Sequence, residues 1–140
     1  HHLGRNKRKH NISMHLEDDL LMANMDARLI IQVLVNLINN AIKYTHENSN
    51  ISLNARRVED KILIEVQDDG NGVLHPDQLF EMFYTENNRG GDTRRGMGLG
   101  LSLCKSIIQS HGGTIWVENV TPHGACFKFV LDAVEVKLYE

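Results

Sequence analysis

The chain is poor in cysteine, has no long apolar run and carries almost no excess of charge. Its two cysteines, Cys104 and Cys126, have no metal-ligand spacing, which leaves them as reduced core residues of a cytosolic domain. No apolar stretch approaches the roughly 20 residues of a membrane span. No leader-like segment stands out, so direct membrane contact by this domain is not expected. Lys and Arg number 15 against 18 Asp and Glu, a formal charge of −3, and this balance gives no electrostatic reason to expect nucleic acid or an anionic membrane as partner. His10, His15, His75, His111 and His123 also lack ligand spacing. His46 lies among turn residues at a helix end, not in a long amphipathic helix, which excludes it as a phospho-acceptor. His1 and His2 read as the end of a purification tag.

At 140 residues the chain is one domain, large enough to bury a core. Residues 1–9 are basic and read as a tag or linker remnant, 10–132 as the folded domain, and 133–140 as a tail whose alternating pattern cannot be placed. Asn11 to Leu16 alternates as a short strand. Asp26 is placed to cap a helix of about 20 residues ending near Thr45, with Ile30, Val33, Leu34, Leu37, Ile38, Ala41 and Ile42 recurring at threes and fours. Ile51–Val58 and Lys61–Gln67 predict a hairpin about Glu59-Asp60. Tyr84 to Met97, nearly devoid of apolar residues, is long for a connector and predicts a lid. Leu99 to His111 predicts a helix closed by Gly112-Gly113. Thr114–Asn119 and Ala125–Leu131 predict strands joined by a turn at Pro122-His123-Gly124. The expected class is α+β: helices laid on one largely antiparallel sheet, a two-layer sandwich.

Three motifs follow one another. In the first, Asn36, Asn40 and Lys43 share one helix face, extended by Gln32 and Glu47. Alone, that stripe also fits a solvated amphipathic face. Asparagine is nevertheless a poor helix former, because its side chain competes with the backbone. Its amide oxygen is a hard donor suited to Mg²⁺, which takes few protein ligands and keeps phosphates and water. In the second, Asp68-Asp-Gly70-Asn-Gly72 follows an apolar strand. Alone it reads as a turn. A partly buried Asp68 at the strand end can also accept the exocyclic amine proton of adenine and repel the oxo group of guanine. Gly70 and Gly72 would then supply positive φ and close backbone approach. In the third, Gly96-Met-Gly98-Leu99-Gly100-Leu101 opens a helix whose bare N–H groups attract phosphate. Arg94 and Arg95, just before it, can reach outer phosphates or simply face solvent. The pattern is neither a dinucleotide fingerprint nor a P-loop, and the loops of eukaryotic-type protein kinases are absent. Phe80 and Phe83 fit core packing or lid anchoring better than base stacking.

In this order the motifs resemble the catalytic, ATP-binding domain of bacterial sensor histidine kinases, within the superfamily shared with gyrase, Hsp90 and MutL. The similarity covers about Asn11 to Leu131. Asn36–Tyr44 looks like the N box, Asp68–Gly72 the G1 box, Phe80–Phe83 the F box and Gly96–Leu101 the G2 box. His111 to Ile115 and Pro122 to Phe127 are most similar to potassium-responsive KdpD-type sensors. The resemblance implies the Bergerat sandwich, a mixed sheet of about five strands backed by about three helices. It implies ATP and Mg²⁺ as cofactors, with Asn40 on the metal, Asn36 supporting metal and phosphates, Lys43 on phosphate and Tyr44 near the base. Asp68 would read the adenine amine beside Gly70, Gly72 and Val73. Gly96, Gly98, Leu99, Gly100 and Leu101 would wrap the phosphates with Arg94 and Arg95. Asn36, Lys43 and Arg95 form the implied catalytic set. The implied partners are a histidine-bearing dimerisation domain of the same parent and a response regulator. The implied location is cytoplasmic, with the parent anchored in the bacterial inner membrane.

Two positions depart from the superfamily pattern. Hydrolytic members carry Glu, the general base for water, four residues before the metal Asn. Here that residue is Asn36, whose amide cannot take the proton. This favours a kinase that holds ATP intact over a hydrolase. It also disfavours the second reading, a serine kinase of the anti-sigma type, whose members keep that Glu. A nucleotide-sensing module without chemistry is the third reading. The other departure is Ala125, where a Thr near the base is common, so a water is expected to replace its hydroxyl.

Overall fold

A computed structural model describes residues 10–16, 23, 25–84 and 100–134. The first helix, α1 (Ala27–Lys43), begins where expected. The Asp26 carboxylate accepts the N–H groups of Arg28 and Leu29 at 3.0 and 3.4 Å, satisfying donors that the first turn leaves unpaired. Ile30, Val33, Leu37 and Ala41 are buried and Leu34, Ile38 and Ile42 are half-buried, the stripe that a 3.6-residue period dictates. Lys43 closes the last turn, where a cation complements the helix dipole.

The sheet consists of β1 (Asn11–Leu16), β2 (Asn50–Val58), β3 (Lys61–Asp68), β4 (Thr114–Asn119) and β5 (Ala125–Asp132). Their order is β1-β2-β3-β5-β4, with β1 parallel to β2 and every other pair antiparallel. This is the mixed, mostly antiparallel five-stranded sheet expected of the α+β class. β2 and β3 form the hairpin about Glu59-Asp60, with Val58 opposite Lys61. The β4–β5 turn contains a cis Thr121–Pro122 peptide. β5 enters between β3 and β4, so the central strand β3 has partners on both sides along its whole length.

The second described helix, α2 (Gly100–Ser110), ends as predicted. Gly112 takes φ +75° and the Gly113 N–H returns to the Ile108 carbonyl at 2.9 Å, a left-handed stop that suits glycine. His111 then ties the helices together. Its Nε2 accepts the Asp26 N–H at 3.0 Å, and its Nδ1 lies 2.8 Å from the Ile107 carbonyl. One ring nitrogen accepts and the other faces a carbonyl, so the proton sits on Nδ1.

One face of the sheet packs against both helices. Ile51, Leu53, Val66, Ile115, Val117, Phe127, Phe129 and Leu131 meet Val33, Leu37, Cys104 and Ile108, and both phenylalanines are wholly buried. A side chain of that size contributes about 1.5–3 kcal/mol on burial. Asp68 pairs with Ala125 two residues beyond the Val66–Phe127 pair. The two-residue period of a strand therefore puts its carboxylate on the helix side, at the end of the core.

Candidate nucleotide site

The end of β3, the turn that follows it and the start of β5 lock around Asp68. This residue is 2% exposed, more deeply buried than expected. Its Oδ1 accepts the N–H groups of Gly70 and Ala125 at 2.9 and 3.2 Å. Two backbone donors on one oxygen fix the plane of the carboxylate. Ala125 has no hydroxyl, and its main chain makes the bond to Asp68 directly. Gly124 shows why a glycine precedes it. With φ +121°, a Cβ there would stand 2.2 Å from the Asp68 carbonyl oxygen.

The two glycines of the second motif do different work. Gly72 takes φ +83° as expected. Gly70 does not appear among the positive-φ residues, and its small size matters instead. A Cβ there would come within 2.9 Å of Thr45 Cγ2, so Gly70 lets this turn seat against the end of α1. Thr45 is buried, donates to the Ala41 carbonyl at 2.7 Å and accepts from His10 Nε2 at 2.9 Å. Asp69 takes the Asn50 main-chain and side-chain N–H groups, both at 3.0 Å, and its carbonyl is 2.8 Å from His123 Nδ1. Val73 is buried, as a pocket wall requires. Its peptide is held by Asn119, whose Oδ1 accepts the Val73 N–H at 2.7 Å and whose Nδ2 donates to the Val73 carbonyl at 3.0 Å.

The polar stripe of α1 rises beside this frame. Asn36, Asn40 and Lys43 are half-buried, and Gln32 and Glu47 are exposed. Lys43 Nζ lies 5.2 Å from the centre of the Tyr44 ring, a cation–π distance. Tyr44 is itself buried. The Cys104 thiol, one turn into α2, donates to the Val33 carbonyl at 3.8 Å, which ties α2 to the helix that carries the first motif. Burial pushes that thiol up to about 11, with the Asn36 side chain opposing it. At the start of α2, Gly100 is exposed, and a Cβ there would meet no atom of the described residues within 4 Å. Among the described residues, packing therefore does not demand a glycine at this position.

Gly96, Gly98 and Leu99, with Arg94 and Arg95, lie outside the described residues, as does nearly all of the expected lid. The Phe80–Phe83 pair divides. Phe80 is buried edge-on to Phe127, 6.0 Å between ring centres, whereas Phe83 is 66% exposed with φ +69°. Sequence reasoning missed Asn119, Thr45 and Asp69. Thr45 follows the first motif and Asp69 lies inside the second, but Asn119 is seen only as the end of a strand, and nothing local signals that it reaches a turn 46 residues earlier in the chain.

Residues 25–135 match the histidine kinase-, DNA gyrase B- and HSP90-like ATPase family, and the chain belongs to it. Within that family its relatives are sensor histidine kinases. It is 37% identical over 124 residues to the sensor protein KdpD of Clostridium acetobutylicum, covering 87% of this chain and 14% of that protein. It is 46% identical over 110 residues to the adaptive-response sensory kinase SasA of Crocosphaera subtropica, covering 76% of this chain and 28% of that one. The similarity thus reaches several kinds of sensor and spans less than a third of these two relatives' length. Among solved structures, the nucleotide-free catalytic domain of histidine kinase ThkA superposes with a TM-score of 0.79 at 30% identity, covering 94% of this chain and 85% of the other. The protein is a catalytic, ATP-binding domain of the sensor histidine kinase type.

Proposed function

We propose that this domain holds Mg-ATP between α1, the Asp68 turn and the start of α2, and presents the γ-phosphate to a histidine on a separate dimerisation domain of the same parent. The observation that carries this reading is the Asp68 carboxylate, 2% exposed and aligned by two backbone N–H groups, at the strand end beside the asparagine-bearing end of α1. A carboxylate oriented this way is suited to accept the adenine amine, with Val73 and Tyr44 bordering the ring. Lys43 would contact phosphate, together with the backbone N–H groups at Gly100 and Leu101. Gly96, Gly98, Leu99, Arg94 and Arg95 complete the phosphate grip in this reading.

Asn40, half-buried on the polar face of α1, offers a hard amide oxygen, and Mg²⁺ needs only one or two such ligands beside phosphates and water. The ion would neutralise phosphate charge. Asn36 stands where a hydrolase needs a carboxylate base, and an amide cannot take the proton. The site therefore positions ATP without activating water. Transfer then depends on alignment and charge neutralisation, with the incoming histidine as nucleophile. The ultimate acceptor is a response regulator; a solved complex of ThkA with its response regulator TrrA involves a kinase 29% identical to this chain. The parent is read as anchored in the bacterial inner membrane. No helix among the described residues is long and apolar enough to cross one.

The test mixes the domain, labelled Mg-ATP and the cognate histidine-bearing domain. Acid-labile label on the histidine is expected. Rapid release of free phosphate with no labelled histidine, or an acid-stable phosphoserine product, overturns the reading.

A further inference from the structure

The N–H and the C=O of Val73 are both held by one side chain of β4, two strands from β3. Asn119 ends β4, the edge strand, in register with Ala125 and Asp68, and its amide makes a paired contact with the N–H and the C=O of Val73, at 2.7 and 3.0 Å. A primary amide carries its acceptor and its donor on adjacent atoms, so it can accept from one of these groups and donate to the other at once. The grip accounts for the neighbouring glycine. A Cβ at Gly72 would lie 2.6 Å from Asn119 Oδ1 and 3.2 Å from the Gly124 carbonyl oxygen. The Gly124 carbonyl in turn accepts the Val120 N–H at 2.9 Å, so the residue after Asn119 is tied to the residue packed on the Asp68 backbone. Asn119 itself is exposed, and no part of the core requires an amide there.

We infer that Asn119 is a positioning residue for the base pocket. By holding the Val73 peptide it fixes how close the apolar wall stands to the plane of the Asp68 carboxylate, and so sets the preference for adenine over guanine. The inference rests on the base-reading role of Asp68. Without the amide, the turn from Gly70 to Val73 keeps its Asp68 and Thr45 contacts at one end and loses its anchor at the other. The Asp68 carboxylate stays in place while the wall drifts. Discrimination between purines then weakens more than folding does, because selectivity depends on the fit of both surfaces at once.

The experiment compares wild type, Asn119→Ala, Asn119→Asp and Asp68→Asn, with ATP and GTP each displacing a trinitrophenyl-ATP probe. Amide exchange at Val73 is followed in parallel. Asn119→Asp keeps the acceptor for the Val73 N–H but turns a second acceptor toward its carbonyl, so it decides the matter if the alanine variant does not fold. Expected is a fall in ATP affinity of about tenfold, the size of one net hydrogen bond to a key group. GTP binding should hardly change, so the ATP-over-GTP preference shrinks, while the Val73 amide exchanges faster in Asn119→Ala. ATP and GTP weakening together in both variants would mean general loosening and overturns the proposal. So does wild-type ATP binding in both variants while Asp68→Asn binds ATP poorly. An unchanged titration for Asp68→Asn instead overturns the base-pocket reading itself, and the proposal with it.

Discussion

In the proposed site Asp68, Asn40 and Gly124 have separate parts, and each has its own signature. Asp68→Asn retains the shape but replaces an acceptor by a donor at the adenine amine. A loss of ATP affinity of at least about tenfold is expected by calorimetric titration. Asn40→Ala should leave nucleotide binding in the absence of metal nearly intact and remove most of its dependence on Mg²⁺. Titrations unchanged in both variants would refute the site. Gly124→Ala forces a methyl to 2.2 Å from the Asp68 carbonyl at φ +121°. With backbone as the obstacle, neither partner yields cheaply, and a destabilisation of about 2–4 kcal/mol is expected in urea unfolding. These residues also mark the limit of sequence reading at this scale. Asp68 ends its strand, Val73 is buried and Gly100 opens its helix, positions that the local pattern implied. The purpose of Gly70 was not legible, because it depends on Thr45, a contact that exists only after the chain folds back.

The elements themselves were largely legible, since periodicity, caps and turn residues are local. Asp26, the glycines after α2 and the Glu59-Asp60 turn all act within a few residues of their own position. Two ties between elements were not. His111 joins the end of α2 to the cap of α1 through a neutral ring. His111→Ala should cost about 1–2 kcal/mol in unfolding, and nitrogen shifts should place the proton on Nδ1. On the outer face of the sheet, Trp116 Nε1 donates to Glu118 at 2.7 Å, and Lys128 reaches Glu118 at 3.2 Å and Glu65 at 3.5 Å. The Trp116 bond first, then Lys128, lowers the Glu118 pKa from its ordinary 4.5. Burial works against the Lys128 charge, but Glu118, Cys126 and Glu65 outweigh it and raise its pKa. A depressed carboxylate contributes stability above its unfolded pKa and loses it as pH falls through the folded one. The fluorescence of Trp116, the single tryptophan, should therefore titrate only below pH 4.5. Glu118→Gln should abolish that transition. A midpoint at or above the ordinary value would contradict the arrangement.

For the whole molecule, the class was legible from the alternation of patterns, but the strand order was not. That β5 slips between β3 and β4, and that β1 joins the edge in parallel, are long-range choices without a local signal. Both cysteines finish buried and free, as read from their lack of spacing. Burial pushes the Cys126 thiol up to about 12, with Glu65 adding to it, and that of Cys104 to about 11. A raised thiol pKa adds stability that is intact below the unfolded value and disappears as pH climbs toward the folded one. At pH 8 neither thiol should react with a disulfide reagent in the native protein, and both should react on unfolding. Prompt labelling of native protein would contradict this burial.

The Asp68 carboxylate, proposed to read the base, ends β3, the central strand, which is paired on both flanks along its whole length. Its contacts with Gly70 and Ala125 are thereby coupled to the sheet's most fully paired strand, not to a mobile rim. Thermal loosening begins at edges and ends and reaches such a strand last. The choice of purine should consequently keep its value almost to the melting point, and then vanish with the fold instead of fading ahead of it.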